Sequence, residues 1–231
     1  MKRDAPPPDT ASPAPGRGAQ RGAAERSLEI LVVATTSAGK FREIQAILGA
    51  RGRVLRSLAD YPRVVLPPEG EDYEGNALAK ARAAARATGL PALADDSGLE
   101  VDALGGAPGP HSARFGGPGL DDAGRVALLL RELAGVPAEK RGARFVCVAA
   151  WSTPDGVERS ARGECRGLLL DAPRGVRGFG YDPVFLPEGE TRSMAELDPE
   201  RKNALSHRAR AFRALLAGRE AGARGPRRSR A

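Results

Sequence analysis

LEILVVATTSAGKFREIQAIL, residues 28–48, is the stretch that decides the fold. Leu28–Thr35 is an apolar run ending in small polar residues, the pattern of a buried strand. From Lys40 to Leu48 the apolar residues Phe41, Ile44, Ile47 and Leu48 recur at helical spacing. A strand that turns directly into a helix opens an α/β domain. The turn itself, Thr35, Thr36, Ser37, Ala38, Gly39 and Lys40, is small up to its terminal lysine. Small residues let backbone N–H groups approach an anion, the start of the helix adds partial positive charge, and Lys40 adds a full one. The turn is therefore a candidate phosphate cradle, with a plain tight connection as the alternative. It is not a Walker A loop, which needs Gly at position 34 and Ser or Thr at 41 where this chain has Ala34 and Phe41.

Downstream, Asn76–Thr88 is Ala-rich and helical in pattern, with Gly89 placed as its stop. Leu90–Ala94 reads as a short strand expected to end at Asp95-Asp96-Ser97-Gly98. Asp121–Leu133 carries Val126, Leu129, Leu130 and Leu133 on one helical face. Arg144–Thr153 and Val157–Leu168 flank the turn sequence Pro154-Asp155-Gly156 and predict a long antiparallel hairpin. Asp198-Pro199 supplies a cap followed by proline at the first helical position. A parallel-type opening joined to such a hairpin predicts a mixed sheet with helices packed on it.

The 231 residues suit one large domain or two tightly joined lobes, and a hydrophobic content of 41% with only 4% aromatics implies a core of Leu, Val and Ala. No apolar run approaches the ~20 residues that span a bilayer. The Arg- and Pro-rich start has no apolar signal segment, and a cytoplasmic protein is expected, with a transit peptide as the minor alternative. Cys147 and Cys165 lack metal-ligand spacing and read as free thiols in a reducing compartment. The formal charge of +7 is concentrated at the two ends, so the body between them is close to neutral. Residues 1–27 read as a disordered extension, 28–217 as the folded domain and 218–231 as a disordered basic tail. Basic ends serve solubility more often than they form a nucleic-acid track, so no specific nucleic acid is expected.

Several groups carry potential chemistry. Adjacent carboxylates at Asp95 and Asp96 point to opposite faces if strand geometry persists, so one can serve a site while the other braces a loop. A carboxylate beside phosphate suits Mg²⁺, which prefers one or two carboxylates plus phosphate oxygens and water. Glu69, Glu71, Asp72 and Glu74 precede the Ala-rich helix; they complement its dipole, and one of them is a candidate second metal ligand. Leu104–Gly117 holds five glycines and two prolines and fits a loop lining a site. Phe179 lies between Gly178 and Gly180, which leaves its ring accessible to a flat ligand or free to anchor the loop. In Lys202-Asn203-Ala204-Leu205-Ser206-His207-Arg208, an unbroken helix would turn Arg208 about 120° from Lys202. Both reach one ligand only if the helix restarts near Ser206, which then acts as an N-cap.

The wording and order of these motifs go further than any of them alone. From about Glu29 to Leu216 the chain resembles the inosine/xanthosine triphosphate pyrophosphatase family. The likeness is densest in NALAKARAAARATGLPALADDSGLEVDALGGAPGPHSARFGG (Asn76–Gly117), GFGYDPVF (Gly178–Phe185) and KNALSHR (Lys202–Arg208). It implies an elongated, two-lobed α/β fold, a mixed β-sheet flanked by helices around a central nucleotide-binding cleft, in a homodimer. It implies Mg²⁺-dependent cleavage between the α- and β-phosphates of ITP, dITP and XTP. Asp96 is then the catalytic acid and a metal ligand, and Glu69 a second ligand. Thr35 to Lys40 form the triphosphate cradle, and Ser97 contacts substrate. Phe179, Gly180, Tyr181, Asp182, Lys202, His207 and Arg208 line the nucleotide pocket. One departure is Ser37, where the family usually has Asn; a serine still donates to phosphate but lacks the second amide group. The alternatives are a related pyrophosphatase for other modified nucleotides, whose Ser-x-Ser-Pro-Arg-Arg motif is absent, and an inactive nucleotide- or nucleic-acid-binding homologue.

Overall fold

The structure is a computed structural model and describes residues 29–49 and 53–223. The expected N-terminal extension lies outside the described residues, as does the tail beyond Ala223. Strand β1 (Glu29–Val33) pairs in parallel with β2 (Arg53–Ser57) on one side and with β3 (Ala92–Val101) on the other. From β3 onward the sheet is antiparallel through β5 (Gly142–Ser152), β6 (Glu158–Leu169) and β7 (Phe185–Pro187), while the two-residue β4 (Pro108–Gly109) pairs with β3. The order β2-β1-β3-β5-β6-β7 is the mixed sheet that the sequence predicts.

The hairpin runs in unbroken register from Gly142 opposite Leu168 to Ser152 opposite Glu158. Gly156 turns its tip at φ 92°. Helix α1 (Ala38–Leu48) follows β1 as expected, and α3 (Asp122–Glu132) matches the predicted span closely. Helix α2 (Tyr73–Thr88) starts earlier than its alanine run, because Asp72 caps it by accepting from the N–H groups of Glu74 and Gly75. Its buried Ala77, Ala81, Ala84 and Ala85 let the helix axis lie close on β3 and β5.

Asp198 caps α4 (Pro199–Leu205). The break near Ser206 that a shared ligand would require is present, in place of the continuous solvated basic face that such a run suggests by default. α5 (His207–Ala223) begins there, with Ser206 Oγ accepting from the N–H of Ala209 at 3.2 Å. The helix also continues past residue 217, where the sequence suggested the basic tail begins.

One expectation fails. The strand beginning near Leu90 does not stop at Asp95; β3 carries Asp95, Asp96, Ser97 and Gly98 in its middle and ends at Val101. All ten residues pair with β5, so the backbone bonds that hold an extended conformation outweigh the turn preference of Asp and Gly. The reason for polar residues there is visible in the packing. Ala92, Leu93 and Ala94 belong to cores covered by α2 on one face and by α1 and α5 on the other. Leu99 and Val101 belong to a separate core with α3, Phe145 and Phe185. The four intervening residues cross the junction between the two lobes.

Gly98 is fixed by crowding at this junction. A Cβ there would collide with the carbonyl oxygen of Gly109 and approach the Tyr73 hydroxyl at 2.7 Å. Gly98→Ala is expected to cost about 2–3 kcal/mol through overpacking, read as a lower urea midpoint. Gly218→Ala, which meets nothing and lies in α5, should leave the midpoint unchanged or raise it.

Candidate active site

The alternation of β3 sends its two aspartates to opposite faces, and each organises a different charge cluster. Asp95 faces α1 and α5. It is fully buried and meets Lys40 Nζ at 3.3 Å and Arg208 Nε at 3.1 Å. Burial alone would raise its pKa, but Lys40 and Arg208 more than offset this and hold the carboxyl well below the usual carboxylate range. Arg208 is also buried; it binds Glu43 of α1 through Nη1 and donates from Nη2 to Ser97 Oγ at 3.0 Å. Lys202 completes the group by contacting Glu43 at 2.7 Å and Asp182. Restarting the helix at Ser206 is what turns Lys202 and Arg208 toward the same carboxylate, Glu43.

Asp96 faces α2. Its Oδ2 accepts from Asn76 Nδ2 at 2.8 Å and its Oδ1 lies 3.2 Å from Lys80 Nζ. Lys80 also holds Glu69 Oε1 at 2.6 Å, so two carboxylates converge on one ammonium. Asn76 secures the Glu69 loop as well, accepting from Gly70 N at 2.7 Å and donating to Gly70 O at 3.1 Å. Burial raises the pKa of Asp96 above the usual value despite Lys80 and Asn76, whereas Glu69, less buried and with the shorter lysine contact, is lowered. A carboxylate held in its less favoured charge state gains from an added cation.

On the α1 side a cleft of about 300 Å³ is lined by Ser37, Gly39, Lys40, Ser97, Phe179, Gly180, Tyr181, Asp182, Lys202, His207 and Arg208. The Phe179 ring lies over Gly39, where a Cβ would come within 2.7 Å of it, and Lys202 and Arg208 stand 5.0 and 5.7 Å from its centroid. Asp182 holds the loop by accepting from Phe179 N at 2.9 Å, and the Tyr181 hydroxyl donates to Ser112 O at 2.9 Å. His207 is buried and stacked on Phe145 at 4.8 Å; burial first, then Arg208 and Lys202, drive its pKa well below 6.5 and keep it neutral. Ser37 caps α1, accepting from Lys40 N at 3.3 Å, so its hydroxyl shapes the turn that ends in Lys40.

The structure does not gather every predicted residue into one cavity. Thr35, Thr36 and Ala38 line a neighbouring hollow against Ser57–Val64, which Ser37 also borders. Asp96 and Glu69 lie on the opposite face of β3 from Asp95. Asn76, Lys80 and Glu43 carry much of the geometry, and the sequence alone assigns them no role. The first two had a usable signal, since Asn and Lys four apart in an alanine helix are polar groups on a face otherwise made for burial. Glu43 had none, because its partners lie 159 and 165 residues away.

A mixed-sheet α/β protein with a cationic, aromatic-floored cleft beside a convergent carboxylate pair is built for a flat anionic ligand such as a nucleotide. The Ham1 family profile matches residues 31–218, and the chain belongs to that family. A relative from Streptomyces coelicolor named dITP/XTP pyrophosphatase is 52% identical over 189 residues, 80% of this chain and 94% of the relative. Another of that name from Geobacter sulfurreducens is 52% identical over 187 residues, with the same shares covered. Among solved structures, a HAM1 protein from Coxiella burnetii superposes with a TM-score of 0.75 at 37% identity, covering 84% of this chain and 99% of that one. A nucleoside-triphosphatase / dITP/XTP pyrophosphatase from Mycobacterium abscessus gives 0.65 at 47% identity, covering 81% and 98%.

Arg208→Met leaves Asp95 and Glu43 buried with weakened compensation and is expected to cost about 3–5 kcal/mol at pH 7. Because the Asp95 pKa is depressed on folding, its stabilisation is present above the unfolded value of 3.8 and is lost as pH falls through the folded value. Urea denaturation of wild type and variant should therefore show a gap that is full above about pH 4 and narrows as pH falls below the unfolded value of 3.8.

Proposed function

We propose that the chain hydrolyses deaminated purine nucleoside triphosphates, ITP, dITP and XTP, to the monophosphate and pyrophosphate, and so clears them from the nucleotide pool. The observation that carries the reading is the pairing of the Phe179 cleft, with Lys202 and Arg208 above the ring, and the Asp96–Glu69 carboxylate pair across one strand. Relatives that match most of the chain at about half identity, and are named for this activity, support it.

The base stacks on Phe179, a contact worth about 1–3 kcal/mol. Arg208 has five N–H donors, and three of them, one on each of its nitrogens, are already held by Asp95, Glu43 and Ser97. Its direction is thus fixed before substrate arrives. A 6-oxo acceptor is matched by the remaining donors of Arg208 and Lys202, while the 6-amino group of adenine meets them donor to donor. Sites of this kind discriminate strongly because the wrong substrate leaves buried polar groups unpaired. Lys40 and the start of α1 take the phosphates.

Asp96 is the catalytic residue and accepts the proton of the attacking water. Its raised pKa makes it a stronger base than an ordinary carboxylate. The donor set fits Mg²⁺: two carboxylates already converge on the Lys80 ammonium, no third acidic, His or Cys group joins them among the described residues, and substrate phosphate and water complete such a shell. Asp96 and Glu69 would hold the ion, which supplies charge stabilisation at the phosphates. Asn76 keeps Asp96 and the Glu69 loop in register, and Lys80 holds the two carboxylates at one point. The reading includes a homodimer and a cytoplasmic setting, the latter supported by two buried free cysteines. No described helix is long and apolar enough to cross a membrane.

Pyrophosphate release with Mg²⁺ should be rapid from ITP and XTP and slight from GTP and ATP. Asp96→Asn should lower kcat by at least about 10²-fold, the scale of a lost general base, without lowering Tm, because ionised Asp96 is unfavourably buried. Chelation should abolish turnover and added Mg²⁺ restore it. Release from no purine triphosphate would overturn the assignment.

A further inference from the structure

Arg125 belongs to α3, which packs in the lobe of Leu99 and Phe185, yet its side chain lines the cleft with Phe179, Lys202 and Arg208. The side chain is only 16% exposed. Its Nε is buried with no hydrogen-bond partner, and its one ionic contact among the described residues is to Asp122 of the same helix at 3.9 Å. The other buried cations of the site are committed: Arg208 to Asp95, Glu43 and Ser97, Lys202 to Asp182 and Glu43, and Lys80 to Asp96 and Glu69. An arginine holds its donors in a rigid planar fork, and a buried donor left unmade is costly.

The helix that carries this fork is held against the cleft. Asp122 Oδ2 accepts from Gly180 N at 2.7 Å, which pins α3 to the loop that carries the Phe179 ring. On the functional reading above, that loop carries the ring on which the base stacks. A cation here meets a part of the nucleotide that varies between substrates.

We propose that Arg125 is a specificity-determining residue whose unfilled donors read an oxygen acceptor of the bound nucleotide other than the 6-oxo group. Two sources offer that chemistry, the 2-oxo group of xanthine and the ribose 2′-hydroxyl. The first would also disfavour guanine, whose 2-amino donor meets the guanidinium donor to donor. The inference rests on the reading of the cleft as a purine triphosphate site.

The test is kcat/KM for ITP, dITP and XTP in wild type, Arg125→Gln and Arg125→Lys, with melting temperatures alongside. Loss of a charge-assisted hydrogen bond predicts a change of about tenfold in one ratio. A fall of XTP relative to ITP assigns the contact to the base, and a fall of ITP relative to dITP assigns it to the sugar. Arg125→Lys keeps charge and stem, so it should show the same direction with a smaller change, and it carries the test if Arg125→Gln does not fold. Unchanged ratios, whether all activities fall together or none does, overturn the proposal and leave Arg125 as packing for α3. A wild type that hydrolyses none of the three overturns this inference together with the functional reading, whereas an active wild type with unmoved ratios removes only the role of Arg125.

Discussion

A single carboxylate buried in the middle of the sheet, Asp95, sets the terms for the rest of the molecule. An unpaired charge in that position would be prohibitively unfavourable, so the fold must deliver cations to it. Lys40 arrives from the first turn of α1 and Arg208 from the first turn of α5. Those two helices are thereby tied to the central strand at their N-terminal ends, where the cleft opens. Glu43 then ties Arg208 to Lys202, which brings in α4 and, through Asp182, the Phe179 loop. Desolvation takes back part of the attraction, so breaking one of these links costs more than forming it contributes. Their effect is directional: they fix where the remaining donors point.

The opposite face of the same strand works differently. Asp96 shares its lysine with Glu69 and is left with a raised pKa. One face of β3 holds a carboxylate made comfortable by two cations, and the other holds one whose ionised form is under-compensated. Two carboxylates adjacent in sequence thus have their pKa values driven in opposite directions by their environments. The strand carries them where the two lobes meet, since neither apolar core could accept them.

Small residues make this arrangement possible. The alanines of α2 let the helix come close enough to β3 and β5 for Asn76 and Lys80 to reach Asp96 without long side chains intervening. Gly39 leaves room for the Phe179 ring, and Gly98 leaves room for β4 and Tyr73. The scarcity of aromatics in the chain is consistent with a core whose main demand is close approach of backbones.

Much of this was legible in the sequence. The strand–turn–helix opening and the hairpin around Pro154-Asp155-Gly156 follow from local periodicity and turn chemistry, which act over a few residues, whereas the helix restart at Ser206 is legible only as the condition for Lys202 and Arg208 to share a ligand. The opposite facing of Asp95 and Asp96 follows from the two-residue period of a strand. The motif wording pointed to the pocket residues and the family. What local signals could not give was the length of β3, because its polar centre looks like a turn until the β5 ladder is present to pair it. Nor could they reveal Glu43 as the joint between Lys202 and Arg208, or Arg125 as part of the cleft. Those roles depend on side chains far apart in the chain meeting at one point, and only the packing of helices from both lobes against the same strand decides which charges become neighbours.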